Sequence, residues 1–250
     1  VIGSTFTVGG TGSTGITYNG GSTAEIITGS TFNVNGGTNA TNGTTSGINM
    51  INAAKITVNP NTDFNVNGNA IGIEVHNNGL QDKKIEFAGT PTTGWTNMIL
   101  QNGRNVGINI VDGQMNTTQS RKVDLVPASD YGLDMTIVSN DNVGYYNRGY
   151  ADELNIKSGK DPINTNSSSM YGRVKIGTLS PLKGFDRNVV FANAAYAKAG
   201  AIDFKQIEID GNDNTIAYFA PGNGNYFGGI SSNPTNNSGV GFFGGTLEVQ

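Results

Sequence analysis

The sequence has no cysteine, one histidine and one tryptophan in 250 residues, and only 14% of its residues are charged. Without cysteine there is no disulfide framework and no thiolate metal site. A single histidine removes most hydrolytic triads unless His76 itself serves as the base. With 15 basic and 19 acidic residues the net charge is −4, so no basic stripe is available to neutralise phosphates, which points away from nucleic acid as a partner. No uncharged apolar run reaches the ~18 residues of a spanning helix, so no membrane insertion is expected of this chain, and no basic-then-apolar leader opens it. The first residue is Val1 and the last four, Leu247-Glu248-Val249-Gln250, alternate like a strand. Both ends are therefore expected to be cuts within a longer polypeptide.

What the sequence has instead is turn-forming and β-forming residues. Glycine occurs 37 times and asparagine 34 times, and both tolerate the left-handed backbone of tight turns. Apolar residues come in short runs of Val, Ile, Phe and Leu between Gly, Asn, Thr and Ser, a strand-and-turn pattern. Residues 1–80 carry only Glu25, Lys55, Asp63 and Glu74 as charges. Such polar, uncharged sequence would argue for disorder if its apolar residues did not recur in order.

They do recur. Gly3-Ser4-Thr5-Phe6-Thr7-Val8 returns as Gly29-Ser30-Thr31-Phe32-Asn33-Val34 and as Asn61-Thr62-Asp63-Phe64-Asn65-Val66, at spacings of 26 and 32 residues. A second phrase begins Gly15-Ile16, Gly47-Ile48, Gly72-Ile73 and Gly107-Ile108. A third lies between them at Ala24-Glu25-Ile26-Ile27, Lys55-Ile56-Thr57-Val58 and Lys84-Ile85-Glu86-Phe87. Periods of about 20 to 50 residues indicate solenoids or propellers, whose repeats hide a common interior by stacking. The expected fold is all-β, a right-handed parallel β-helix with three strands to a coil. Variable spacing fits, because turns project outward and doubling a loop costs only about 0.6 kcal/mol. Phe6, Phe32 and Phe64 are expected to stack as an aromatic ladder, and Asn35 and Asn67 as an amide ladder.

Residues 1–250 are expected to form one β-helical segment of about eight to ten coils, a rod about 40 to 50 Å long. Excursions are expected at 139–171 and 221–239, and a turn of helix at Asn193 to Ala201. The competing fold is a β-sandwich, which requires antiparallel hairpins.

Several motifs have a chemical reading and a plain one. Gly10-Thr11-Gly12-Ser13-Thr14-Gly15 matches G-x-G-x-x-G, but a strand and turn follow where a phosphate site needs a helix N-terminus. Asp210-Gly211-Asn212-Asp213-Asn214 resembles the start of a calcium loop, yet Thr215 stands where that loop needs Gly. Ser180-Pro181-Leu182-Lys183 fits S-x-x-K without its helix. His76, before Asn77-Asn78-Gly79, reads as a strand end. Asp130, Asp134, Asp141, Asp152 and Asp161 are spread over loop-like sequence, and no acidic pair recurs at coil spacing. No cofactor, metal site or catalytic residue is assigned, and an enzyme is not expected.

For binding, exposed aromatic rings are the informative class, because they offer contact area at low entropic cost. Trp95 sits in Thr92-Thr93-Gly94-Trp95-Thr96, and Tyr145, Tyr146, Arg148 and Tyr150 fall in the longest excursion. These five are the candidate ligand-binding residues. The plain alternative is that the rings cover the hydrophobic edge of the solenoid.

Gly29-Ser30-Thr31-Phe32-Asn33-Val34-Asn35-Gly36-Gly37, the run Ala201 to Asn214, and Phe242-Phe243-Gly244-Gly245-Thr246-Leu247 resemble the passenger region of large type V autotransporter adhesins, the fusobacterial kind most closely. The likeness is one of composition and repeated phrases over the whole chain. It implies an extracellular β-helical stalk on a bacterial surface, anchored by a C-terminal outer-membrane barrel beyond this chain. It also implies adherence to a surface glycan or protein of host cells or other bacteria. The lack of cysteine suits passage through a pore. The family shares no catalytic residues to carry over. A structural spacer of the same stalk and a β-helical polysaccharide lyase or hydrolase are the alternatives.

Overall fold

The computed structural model describes residues 1–19, 25–37, 45–51, 53–76, 82–88, 96–111, 122–127, 133–139, 141–147, 153–156, 173–176, 189–193, 199–202, 206–209 and 216–219. Among these residues the chain is all-β and contains no helix. Twenty strands, numbered in chain order, lie in three sheets. The first sheet contains β1 (Thr5–Gly9), β4 (Thr31–Asn35), β7 (Asp63–Asn67), β10 (Thr96–Gln101), β13 (Leu133–Ile137), β16 (Arg173–Ile176) and β19 (Gln206–Ile209). The second contains β2 (Thr14–Tyr18), β5 (Thr45–Met50), β8 (Ala70–His76), β11 (Val106–Val111), β14 (Val143–Asn147), β17 (Val189–Asn193) and β20 (Ile216–Phe219). The third contains β3 (Glu25–Ile27), β6 (Lys55–Val58), β9 (Lys83–Phe87), β12 (Lys122–Pro127), β15 (Glu153–Ile156) and β18 (Ala199–Ile202).

Each strand pairs with the strand three places along the chain, and every pairing between these strands is parallel. An antiparallel sandwich is therefore ruled out for this part of the chain. The recurring phrases set the register: Phe6 stands on Phe32 and Phe32 on Phe64. Ile16, Ile48, Ile73 and Ile108 form a file in the second sheet, and Ile56 meets Ile85 in the third.

These files are the core. In β4 and β7 the buried residues are Phe32, Val34, Phe64 and Val66, alternating with half-buried polar ones. The three Phe rings stack with centroids 4.9 Å apart and planes within 9°. In-register parallel pairing sets that distance, since it repeats the strand spacing of about 4.8 Å. Met98 and Met135 continue the file beyond Phe64, both fully buried.

Corners are shaped by residues that adopt positive φ or satisfy turn carbonyls. Gly68 and Asn69 both have positive φ and turn the chain from β7 into β8 within two residues. Asn105 and Asn142 lie buried in successive layers of the next turns. The Asn105 amide donates to Asn142 Oδ1 (2.8 Å) and Gln101 O (2.7 Å), while its Oδ1 accepts from the Ala70 N–H. Lys83 is also buried, its Nζ donating to Ile51 O (2.8 Å) and Ala53 O (3.1 Å), and burial lowers its pKa. On the outer face of the third sheet, Glu86 pairs with Lys55 (2.7 Å) and Lys84 (2.5 Å). Burial pushes the Glu86 carboxyl up, but the bonds and charges of the two lysines outweigh it and hold the pKa below its ordinary value.

Two expectations are corrected in part. Asn193 and Ala199 to Ala201 are strand residues of β17 and β18, not helix; 194–198 lie outside the described residues. The stretch 139–171 contains β14 and β15, so it is not one continuous excursion, while 221–239 lies outside the described residues. The described strands make seven layers in the first and second sheets.

Candidate functional site

The outer face of the first sheet carries a depression. Strand alternation sends Phe64, Met98 and Met135 inward, leaving Asp63, Asn65, Asn97, Ile99, Asp134 and Thr136 outward in three successive layers. Register then assembles two files, Asp63 with Asn97 and Asp134, and Asn65 with Ile99 and Thr136. These six, with Phe64 and Met98 at its floor, line a depression of about 320 Å³. That volume is at the small end of the range typical of ligand sites.

Its chemistry is that of hydrogen-bond acceptors. Asn97 Nδ2 donates to Asp63 Oδ1 at 3.0 Å, which fixes the amide and leaves its own carbonyl available. Amide ladders continue the polar surface on neighbouring layers. Asn65 donates to Asn33 Oδ1 (2.9 Å), Asn67 to Asn35 Oδ1 (2.9 Å), and Asn102 to Asn67 Oδ1 (2.7 Å). The expected Asn35 and Asn67 ladder is thus present. Asp63 and Asp134 are the charged residues among the described ones that line it, and in the next layer Asp134 stands in register with Arg173 and Thr136 with Lys175. Ile99 adds one apolar spot beside them. No group of three or more His, Cys, Asp or Glu able to hold a metal occurs among the described residues.

No family model, no curated protein and no solved structure matches the chain.

The candidate aromatic residues do not meet in one exposed loop. Tyr145 lies in β14, 3% exposed and packed in the core, in register with Ile108 and Phe191. It cannot present its ring to a ligand from there, which corrects its assignment to a binding loop. The cause is Gly144, which continues the glycine phrase of Gly107 and seats the following residue inside, as Gly107 seats Ile108. Tyr146 points to the outer side of the same strand, half-buried, level with Asn109. Trp95, Arg148 and Tyr150 lie outside the described residues, as do Ser180 to Lys183 and Asp210 to Asn214. His76 ends β8 as a strand-end residue, its Nε2 3.1 Å from Glu74 Oε1. The run Gly10 to Gly15 leads into β2, which includes Gly15, so those glycines meet no helix.

Asp134 is on a strand, not in a loop, and its file with Asp63 is a feature that sequence reading misses. The signal was Leu133-Asp134-Met135-Thr136-Ile137, an alternating run like Asp63-Phe64-Asn65-Val66.

Burial, then the charge of Asp134, pushes the Tyr145 phenol well above its ordinary pKa. A raised folded pKa contributes stability that is complete below the unfolded value near 10 and is lost as pH rises beyond it. Stability is therefore expected to fall above about pH 10, and Tyr145→Phe should remove part of that fall. Denaturant midpoints of both chains between pH 8 and 11 check this; parallel curves would contradict it.

Proposed function

We propose that the chain is a length of right-handed parallel β-helix, three strands to a coil, in the extracellular passenger of an autotransporter adhesin, where it helps attach the bacterial cell to a surface. The observation that carries the proposal is the pairing of each strand, in parallel, with the strand three places along, through three sheets. Right-handedness follows from the strong chirality preference of parallel crossovers. Such a stack depends on contacts between neighbouring layers, so it lengthens by adding coils and can form progressively as a chain emerges from a pore. The outer face is largely short and polar in the early layers, with Thr5, Thr7, Thr31 and Asn33 before the depression. That suits a displayed stalk, and the depression supplies a surface for attachment.

A second reading, a spacer without its own contacts, is favoured by the burial of Tyr145, which removes one of the rings proposed to bind. The test displays the chain on non-adherent bacteria through an outer-membrane barrel and scores attachment to epithelial cells and to other bacteria. Attachment above that of the barrel alone, competed by the purified chain, is expected. Attachment equal to the barrel alone would overturn adhesion and leave the spacer.

A further inference from the structure

We propose that the asparagine ladder at the corner between the first and second sheets is a site of spontaneous deamidation, which begins at Asn102 and passes inward to Asn67. Three layers place an Asn-Gly step at this corner: Asn35-Gly36, Asn67-Gly68 and Asn102-Gly103. Asn35 and Asn67 end β4 and β7, and Asn102 directly follows β10. A following glycine makes an asparagine labile, because without a Cβ its nitrogen reaches the side-chain amide unhindered. The three amides are themselves joined in a file. Asn67 Nδ2 donates to Asn35 Oδ1 (2.9 Å), and Asn102 Nδ2 donates to Asn67 Oδ1 (2.7 Å).

The chemistry needs only water. The Gly103 nitrogen gives its proton to hydroxide and attacks Asn102 Cγ. The N–Cγ bond forms, the Cγ–Nδ2 bond breaks, and ammonia leaves with a proton from water, which restores the hydroxide and closes a succinimide. Water then adds to either imide carbonyl and opens the ring to Asp or isoAsp.

The hydrogen bonds rank the three sites. Gly36 N–H donates to Asn67 O (2.9 Å), Gly68 N–H to Gln101 O (3.2 Å) and Gly103 N–H to Ser139 Oγ (2.8 Å). Each attacking nitrogen thus has one bond to surrender, and the side chains decide the order. Asn67 is half-buried and bonded in the ladder through both amide atoms, whereas Asn102 is exposed and bonded through Nδ2. Turning Asn102 toward its glycine breaks one ladder bond; turning Asn67 breaks two. Asn35 also has one ladder bond, but Gly36 is pressed against the next layer, where an added Cβ would run into Gly68 O and Asn69 O. Its peptide has no room to turn. Conversion at Asn102 then weakens the next site. An ionised carboxylate is an acceptor only, so the donor to Asn67 Oδ1 is lost and a negative charge stands in its place. Asn67 is left with the single ladder bond to Asn35.

The experiment incubates the purified chain at mildly alkaline pH, folded and in urea, and follows Asn35, Asn67 and Asn102 separately by mass spectrometry of their peptides. In the folded chain Asn102 is expected to convert about fivefold faster than Asn67, the factor set by one further hydrogen bond to break. In urea, where the ladder is gone, that difference should fall below about twofold. Folded Asn102→Asp should raise the rate at Asn67 about fivefold, by removing the same bond in advance. Circular dichroism verifies the fold of the variant, and the order of conversion is read on the parent chain regardless of it. Conversion of Asn67 or Asn35 ahead of Asn102, an order that persists in urea, or a folded Asn102→Asp chain in which Asn67 converts no faster than in the parent would each overturn the proposal. So would a folded chain that keeps Asn102 intact while the chain in urea loses it.

Discussion

Phe32→Ala is expected to cost about 4 kcal/mol of unfolding free energy, within the range for deleting a buried aromatic ring. Phe32 is fully buried and stacked on both sides, by Phe6 below and Phe64 above. Truncation removes its burial, two ring contacts of about 0.5–1.5 kcal/mol each, and leaves a cavity that in-register backbones cannot close. Phe6 has one stacked neighbour and is only half-buried, so Phe6→Ala should cost about half as much. Phe32→Met should cost under about 1.5 kcal/mol, because a flexible thioether fills the same file at Met98 and Met135. Urea midpoints of the three variants provide the measurement. Equal losses at Phe6 and Phe32 would mean that the rings stabilise the chain individually and not as a stack.

The same file marks how far the fold was legible in the sequence. Where a layer repeats its neighbour's residues, as Thr31-Phe32-Asn33-Val34 repeats Thr5-Phe6-Thr7-Val8, register could be read directly. The file continues as Met98 and Met135, and no phrase announces it, because stacking demands an apolar side chain of suitable volume and not an identical one. Tyr145 is the converse case. A Tyr-Tyr pair amid Asn and Gly looks like an exposed loop, yet the preceding glycine alone carried the information that the position is internal. Ile202 and Ile209, close in the sequence, belong to β18 and β19 in different sheets.

The candidate site was less legible than the core for a physical reason. Asp63 and Asp134 are 71 positions apart and meet only through two pairings, each with its own loop length. Outward residues are not forced to match between layers, since solvent accepts most side chains. A site assembled from them leaves no repeat. The low charge of the sequence has the same origin. Side chains directly over one another in a parallel stack repel if alike in charge, whereas amides pair, as Asn33 does with Asn65. Asn97 beneath Asp134 and above Asp63 is such a spacer between carboxylates, and the paired lysines Lys55 and Lys84 share Glu86.

Gly72→Val is expected to cost at least about 4 kcal/mol, and Gly72→Ala about 3 kcal/mol, both among the larger effects of single substitutions. Gly15, Gly47, Gly72 and Gly107 stand in one file, and the strands pair through the residues on either side of them. A Cβ on Gly72 would lie 2.7 Å from Gly107 O and 2.7 Å from Met98 Cε. The methionine end can turn aside, but the carbonyl belongs to a backbone held by ladders on both flanks. Gly47 meets the same obstacle, 2.8 Å from Gly72 O. None of these four glycines has positive φ, so the demand is for space and not for an unusual conformation. Gly29 supplies the contrast, with φ of +56° and nothing within 4 Å of an added Cβ. There Ala pays only the left-handed penalty of about 1–2 kcal/mol. Urea denaturation of Gly72→Ala, Gly72→Val and Gly29→Ala separates the two causes. If Gly29→Ala proved as costly as Gly72→Ala, backbone conformation and not close approach between layers would limit these positions. If Gly72→Val retained the parent's midpoint, the layers would have to be spaced more loosely than their register requires.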